Sequence, residues 1–386
     1  METPLSAMPI IDVDSHFTEP RDFWTRRSPA RYRDRAPRVV VDDAGHERWI
    51  VDEDVFLGPP GFCVIRKDGG KTLGTMSLDT FEEMHPAATH PKERLELMDE
   101  HGLSVQIVYP NVLGFAGSMI MRVTDVELRN FCSYAYNDGV AELQSAGEQR
   151  LYPQAVLPFW DIDLAVKELA RCHEELGLTG VILTDAPETW GLPSLGDRHW
   201  EPLFGAAQER GLPINFHIGG GHFAGAPWGG GPPGTDLATM SSLAFIGNVR
   251  CVANLIFSGL LDRFPSLRFV SVESGLGWIP FLLDFCEYQM DQNQVTRLEL
   301  RPREYFARQI YASYWFETDA ADAIQKLPED NVMFETDFPH PTCLYPGIQD
   351  QVQASLGGFP EALQRKILYE NAARVYRLPE PTAVTS

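Results

Sequence analysis

Cysteine is scarce and unpaired. The six cysteines, at positions 63, 132, 172, 251, 286 and 343, include no CxxC pair, so in a chain of this size they read as reduced and mostly buried, and the expected compartment is the cytoplasm. Positive charge is also short. Thirty-two lysines and arginines stand against 54 acids, a net charge of −22, which argues against nucleic acid, because such a surface repels a phosphate backbone. No uninterrupted apolar run reaches membrane-spanning length, and the opening METPLSAMPI lacks the basic start and apolar stretch of a signal peptide. No GxGxxG follows the first strand-like run, which weakens a dinucleotide-binding reading. What remains is a globular composition, 44% hydrophobic and 22% charged, long enough for one large core or two ordinary domains.

The apolar residues fall into short runs. PIIDVDSH (9–16), VQIVYPN (105–111), LYPQAVLPF (151–159), GVILTDA (180–186), PINFHIG (213–219), RFVSVES (268–274), QIYASYWFE (309–317) and VMFETDF (332–338) make eight. Most are bounded by glycine, proline or polar turns, and from residue 90 onward helical patterns separate them, such as PKERLELMDEHG (91–102) and DLAVKELARCHEELG (163–177), where Gly177 suits a C-cap. Eight strand–helix units with nearly continuous apolar strands predict a (β/α)8 barrel as one domain over 9–378, with a flexible tail at 379–386; an open doubly wound sheet is the alternative. Two segments exceed a plain barrel: a long insertion at 20–90 after strand 1 and a glycine-rich loop at 219–235 after strand 5. Both follow strand C-termini, the face where barrels build active sites, so both are candidate lids.

One stretch runs against the overall charge. RRSPARYRDRAPR (26–38) carries six arginines and one aspartate. It reads as a solvated loop, a contact between copies of the chain, or a clamp for a polyphosphate such as the nucleotide end of coenzyme A, because arginine forks match phosphate geometry.

The polar residues at the strand ends carry the chemistry. In IIDVDSHFTEP, Asp12, Asp14 and His16 occupy alternate positions, so they share one face of a strand. Strand 5 ends in His217, strand 6 in Glu273, and strand 8 in Asp337 with His340 just beyond. Ionisable groups crowded inside a barrel are costly unless compensated, and a metal ion compensates carboxylates and neutral imidazole directly. Asp12 is expected behind the ligands, orienting one of them. His222, in the glycine-rich loop, is a candidate to enter the site on closure, Phe223 and Trp228 could cover an apolar substrate, and His340 is a candidate beside the metal.

IDVDSHFTEP, NFHIGG, ESGLGWIP, ETDFPHP and ILYENAARVYRL together resemble the amidohydrolase-2 branch of the amidohydrolase superfamily, from residue 10 to about 378. The resemblance implies a metal-dependent TIM barrel with ligands at Asp14, His16, His217 and Asp337. This chain departs from the family at strand 6, where many members, the decarboxylases among them, have a catalytic histidine and Glu273 stands here. Glu273 and the D-x-D-S-H-x-x-E-P opening resemble the non-heme diiron monooxygenases of that branch, thought to act largely on coenzyme A thioesters, which implies Asp14, His16, Glu19, His217, Glu273 and Asp337 as ligands. Two histidines with four carboxylates also suit a dinuclear iron or manganese site, since charges of −4 balance two divalent cations. The expected function is therefore hydroxylation of a small organic substrate, such as an acyl-coenzyme A, by two irons, O2 and an external electron donor, with manganese or zinc as alternative metals. The alternative function is metal-dependent hydrolysis, with Asp337 as proton shuttle, or non-oxidative decarboxylation.

Overall fold

In a computed structural model, residues 4–221, 227–379 and 381 are described. His222 and Phe223, and most of the expected tail at 379–386, lie outside the described residues. The first strand, β1 (Ile11–His16), is buried throughout. A three-stranded antiparallel sheet follows, β2 (Arg38–Val41), β3 (Glu47–Val51) and β4 (Val55–Gly58). The chain then alternates: α1 (Pro91–His101), β5 (Val105–Tyr109), α2 (Val126–Ala146), β6 (Leu151–Pro153) with β7 (Ala155–Val156), α3 (Ile162–Glu174), β8 (Val181–Ile182), α4 (Glu201–Arg210) and β9 (Ile214–His217). Three helices, α5 (Thr235–Leu243), α6 (Ile246–Phe257) and α7 (Leu260–Arg263), precede β10 (Phe269–Val272). The order ends with α8 (Ile279–Gln292), α9 (Pro302–Gln309), β11 (Ile310–Tyr314), α10 (Ala320–Ile324), β12 (Val332–Phe334), α11 (Ile348–Leu356), α12 (Glu361–Arg365) and α13 (Asn371–Tyr376).

The strands form a (β/α)8 barrel. Parallel pairing runs β1-β5-β6 and, separately, β7-β8-β9-β10-β11-β12. Gln154 joins the two pieces, its amide donating to Val108 O while the next amide, Ala155 N, donates to Gly180 O, so β6 and β7 are one barrel strand with a kink. The seam between first and last strands closes through Asp337 N to Asp14 O (2.9 Å) and His16 N to Phe338 O (2.7 Å). All eight apolar runs of the sequence supply these strands. Their near-continuous apolar character follows from burial on both faces; β5 and β11, for example, are buried at every residue.

Local chemistry sets the helix ends. Asp125 and Asp161 accept amide hydrogen bonds at the starts of α2 and α3. Gly102, at φ 72°, ends α1 in the left-handed region that glycine enters freely. Gly177 lies beyond the end of α3, which stops at Glu174. The run Thr235–Phe257 is long and apolar enough to cross a membrane by length and composition, which the sequence reading passed over. It is divided into α5 and α6, and α6 buries Val252, Leu255 and Ile256 against the barrel.

The 20–90 insertion is a fixed wall. Trp24 and Trp49 are fully buried, their rings edge to face at 5.3 Å, and each indole N–H reaches a carbonyl, Cys132 O and Pro60 O respectively. Burying two indoles contributes several kcal/mol of hydrophobic free energy and anchors this segment at those two points, while Phe62, Lys71 and Met76 further along it line the cavity described below. The arginine segment is likewise consumed by structure. Arg26 and Arg27 pair with Glu142, Arg31 with Glu127, and Arg35 with both Asp52 and Asp125, while Arg38 donates to Asp52 O. None of the six arginines reaches the cavity described below. The polyphosphate clamp is therefore corrected: these forks satisfy the acids of α2 and the insertion.

Candidate metal centre

The C-terminal ends of β1, β9, β10 and β12 bring their polar residues to one point. His16 Nε2 lies 3.2 Å from His217 Nε2, 3.4 Å from Asp14 Oδ1 and 3.7 Å from Asp337 Oδ1. His217 Nε2 lies 3.5 Å from Asp14 Oδ2 and 3.4 Å from Glu273 Oε2. Asp14, His16, His217 and Glu273 each offer a ligand atom within 4.8 Å of the others, as do His16, Glu273, Asp337 and His340. All six side chains are buried. Glu273 and Asp337 both take positive φ, 52° and 58°. That conformation is strained for a non-glycine residue, and it turns each carboxylate inward just past its strand. The following Gly275, at φ 70°, brings its backbone so near Glu317 that an added Cβ would lie 2.5 Å from Oε1.

These residues fit a divalent cation. Both oxygens of Asp14, His16 Nδ1 and Asp337 Oδ1 have no hydrogen-bond partner in the protein, and a buried carboxylate without a partner is costly. Bonds of about 2.1 Å in tetrahedral or octahedral geometry place ligand atoms roughly 3.0–3.4 Å apart, close to the separations above. His217 Nδ1 sits 2.9 Å from Ile218 O; a carbonyl only accepts, so the proton belongs on Nδ1 and Nε2 presents a lone pair to the cluster.

Electrostatics separates the carboxylates. Burial disfavours the charge of Asp14, but His217 and His16 beside it outweigh burial and hold its carboxyl well below the usual range. Burial pushes Glu273 well up, reinforced by Asp337, Asp14 and Glu335. His16 is lowered by burial and by the ring of His340, which stacks on it at 3.6 Å. Asp12, pushed up to about 7 by burial, accepts from Thr336 N (2.8 Å), Thr336 Oγ1 (2.6 Å) and Gln106 Nε2 (2.8 Å), tying β1 to β5 and to the end of β12.

Glu19 does not join the ligand atoms. Its carboxylate accepts from the backbone amides of Asn111 and Val112 at 3.2–3.3 Å, anchoring the turn after β5, and burial raises it to about 7. A carboxylate the sequence reading missed comes nearer. Glu335 is fully buried, accepts from Glu273 N at 3.2 Å, and is pushed well up by burial and by Asp14. It lies just past β12, in the same run as Asp337 and two residues before it. Thr342 and Asn111, also missed, lie in loops. Thr342 Oγ1 lies 2.6 Å from Asp337 Oδ2 and 3.3 Å from Glu273 Oε1. Asn111 Oδ1 lies 2.7 Å from His340 Nε2, whose Nδ1 faces Asp337 Oδ1 at 3.0 Å. The balance of four negative charges against two cations loses one member here, because Glu19 stands apart from the cluster on the amides of Asn111 and Val112.

The cluster faces a cavity of about 630 Å3. Ser241, Ser242, Glu273, Ser274, His340 and Thr342 supply polar lining, and Lys71 is the one lysine or arginine among the described residues around it. Phe115 stacks on His217 at 4.0 Å. Trp228 does not cover the cavity and is fully exposed.

Comparisons with known proteins agree with this architecture. The chain is 25% identical to the gamma-resorcylate decarboxylase of Polaromonas sp. (strain JS666) over 307 residues, 74% of this chain and 86% of that one. An amidohydrolase structure from Mycobacterium avium subsp. paratuberculosis superimposes with a TM-score of 0.75 at 23% identity, covering 95% of this chain and 98% of the other. A dihydroxybenzoic acid decarboxylase structure from Polaromonas sp. JS666, with bound manganese and the inhibitor 2-nitroresorcinol, gives 0.60 at 18% identity, covering 96% and 97%. The diiron monooxygenase reading, with its oxidoreductase class, O2, electron donor and acyl-coenzyme A, is overturned by these sequence relatives, which are decarboxylases. The family match extends over residues 11–378, and the chain belongs to the amidohydrolase family.

Proposed function

We propose that the protein is a metal-dependent, non-oxidative decarboxylase of a hydroxylated aromatic acid. The observation that carries this reading is the convergence of two overlapping groups, Asp14, His16, His217 and Glu273, and His16, Glu273, Asp337 and His340, with Glu273 and His340 lining a largely apolar cavity, in a chain whose curated relatives decarboxylate aromatic acids of that kind. One divalent cation, manganese before zinc, would be held by Asp14, His16, His217 and Asp337. That ion would supply a Lewis acid for the substrate's carboxylate and neighbouring hydroxyl.

The protein's own groups do the rest. Glu273 stands on the strand where many decarboxylases carry a catalytic histidine, and it lines the cavity. It gives its proton to the ring carbon that bears the carboxylate. The C–C bond then breaks, its electron pair stays in the ring, and CO2 leaves. The Thr342 hydroxyl, between Asp337 and Glu273, holds the Glu273 carboxyl in place. Phe115 keeps water from the rings of His16 and His217. Lys71 attracts the anionic substrate to a chain whose net charge of −22 would otherwise repel it.

The test is turnover of hydroxylated benzoates by manganese-loaded protein under nitrogen, in D2O. CO2 should be released and one deuterium should appear at the vacated ring carbon. Glu273→Gln should lower kcat by about 10²-fold or more while metal content stays near that of the wild type. Failure of the manganese- and zinc-loaded enzymes to release CO2 from any acid in the panel would sink the proposal.

A further inference from the structure

We infer that the substrate is much larger than a single-ring acid: a carboxylic acid whose apolar body carries a long or multi-ring extension. This deepens the decarboxylase reading and rests on it for the position of the carboxylate.

The cavity sets the size. At interior packing density a non-hydrogen atom occupies roughly 20 Å3, so 630 Å3 corresponds to about thirty such atoms. A dihydroxybenzoate has eleven and fills about a third of that space. The remainder would be water against apolar walls, which a small ligand leaves unused.

The lining sets the chemistry. Apolar side chains continue from the metal cluster to solvent. Phe115 lies on His217 at the floor, Trp315 is buried on the wall with its indole N–H on Thr342 O, and Phe316 and Met76 stand 59% and 37% exposed at the rim. Met240 and Phe245 close the side contributed by α5 and the turn after it. The polar and charged groups Glu273, His340, Thr342 and Lys71 are linked to one another or to one segment: Thr342 bridges Asp337 and Glu273, and Lys71 Nζ donates to Cys343 O, the next residue. The charged and hydrogen-bonded polar groups are therefore gathered around residues 340–343, and apart from Ser274 and the serines Ser241 and Ser242 of α5 the rest of the lining is apolar or glycine. A ligand matched to it has one anionic, hydroxylated end and an apolar body extending toward Phe316 and Met76.

The experiment compares 2,4-dihydroxybenzoate with its 6-heptyl derivative in the full-length, manganese-loaded protein. Binding is measured by calorimetry, and CO2 release by turnover. The heptyl acid should bind at least thirtyfold more tightly. Ala244→Trp, which fills the cavity, should lower that advantage at least tenfold, and Met240→Trp on the more exposed α5 provides the same test should the first variant not fold. Equal or weaker binding of the heptyl acid, or unchanged preference in both variants, overturns the inference. Tight binding of the heptyl acid without CO2 release keeps the large-substrate assignment and removes the decarboxylase reading. CO2 from the single-ring acid with weak heptyl binding does the reverse.

Discussion

Removing the metal should cost thermal stability by an amount that can be worked out in advance. Without an ion, Asp14 and Asp337 are buried with unpartnered oxygens beside two histidines. The ion binds the folded cluster and not the unfolded chain, so it stabilises by RT ln(1 + [L]/Kd), about 4 kcal/mol when free metal is a thousandfold above Kd. An unfolding entropy of about 2.1 cal/mol/K per residue gives roughly 0.8 kcal/mol/K for a chain of 386 residues. The expected shift is therefore about 5 °C. Dialysis against EDTA should lower Tm by that amount, manganese should restore it, and Asp14→Asn should abolish the response while remaining folded by far-UV circular dichroism. Elemental analysis run in parallel should give about one metal ion per chain. Identical melting curves for metal-free protein with and without saturating manganese would refute the assignment of the cluster to a cation.

Two further outcomes concern stability away from the ligands. Glu19 is raised from 4.5 to about 7 by burial, so the unfolded chain ionises first as pH rises, and stability is lost progressively between about pH 4.5 and 7, by about 3 kcal/mol at full effect; Glu19→Gln should flatten that part of a Tm-against-pH profile, and an unchanged slope would count against the buried position of Glu19. Arg94, fully buried, donates to His16 O (2.6 Å), Ala87 O (2.7 Å) and Gln106 Oε1 (3.0 Å); Arg94→Met leaves three buried acceptors without donors and should destabilise by about 3 kcal/mol or more in urea unfolding, whereas a loss below about 1 kcal/mol would show that water replaces the guanidinium.

Much of this was legible because a strand has a strict period. Alternation placed Asp12, Asp14 and His16 on one face, and eight apolar runs with helical spacers specified a barrel. What alternation cannot supply is the partner of a side chain that leaves the strand. Glu19 lies three residues past His16, close enough to be taken for a ligand, yet it meets the amides of Asn111 and Val112, about ninety residues away. The arginines of 26–38 looked free because their acids, Asp125, Glu127 and Glu142, lie on and beside a helix that begins about ninety residues later. The insertion was expected to be a lid because it follows the end of strand 1, and nothing in its sequence shows that Trp24 would pack edge to face on Trp49 of β3.

The chemistry was misread for a different reason. A sequence displays carboxyl groups, not charges, and a count of four was converted directly into four negative charges. Burial breaks that equivalence. Two acids at the same rim respond in opposite ways: Asp14, between His16 and His217, is held ionised, while Glu273, facing Asp337, Asp14 and Glu335, is driven toward its neutral form. Groups whose environments push their proton affinities apart are suited to different roles, one as ligand and one as acid. Under the proposed decarboxylase reading, such a rim would serve both a divalent ion and a proton donor, with Glu273 in the donor's place.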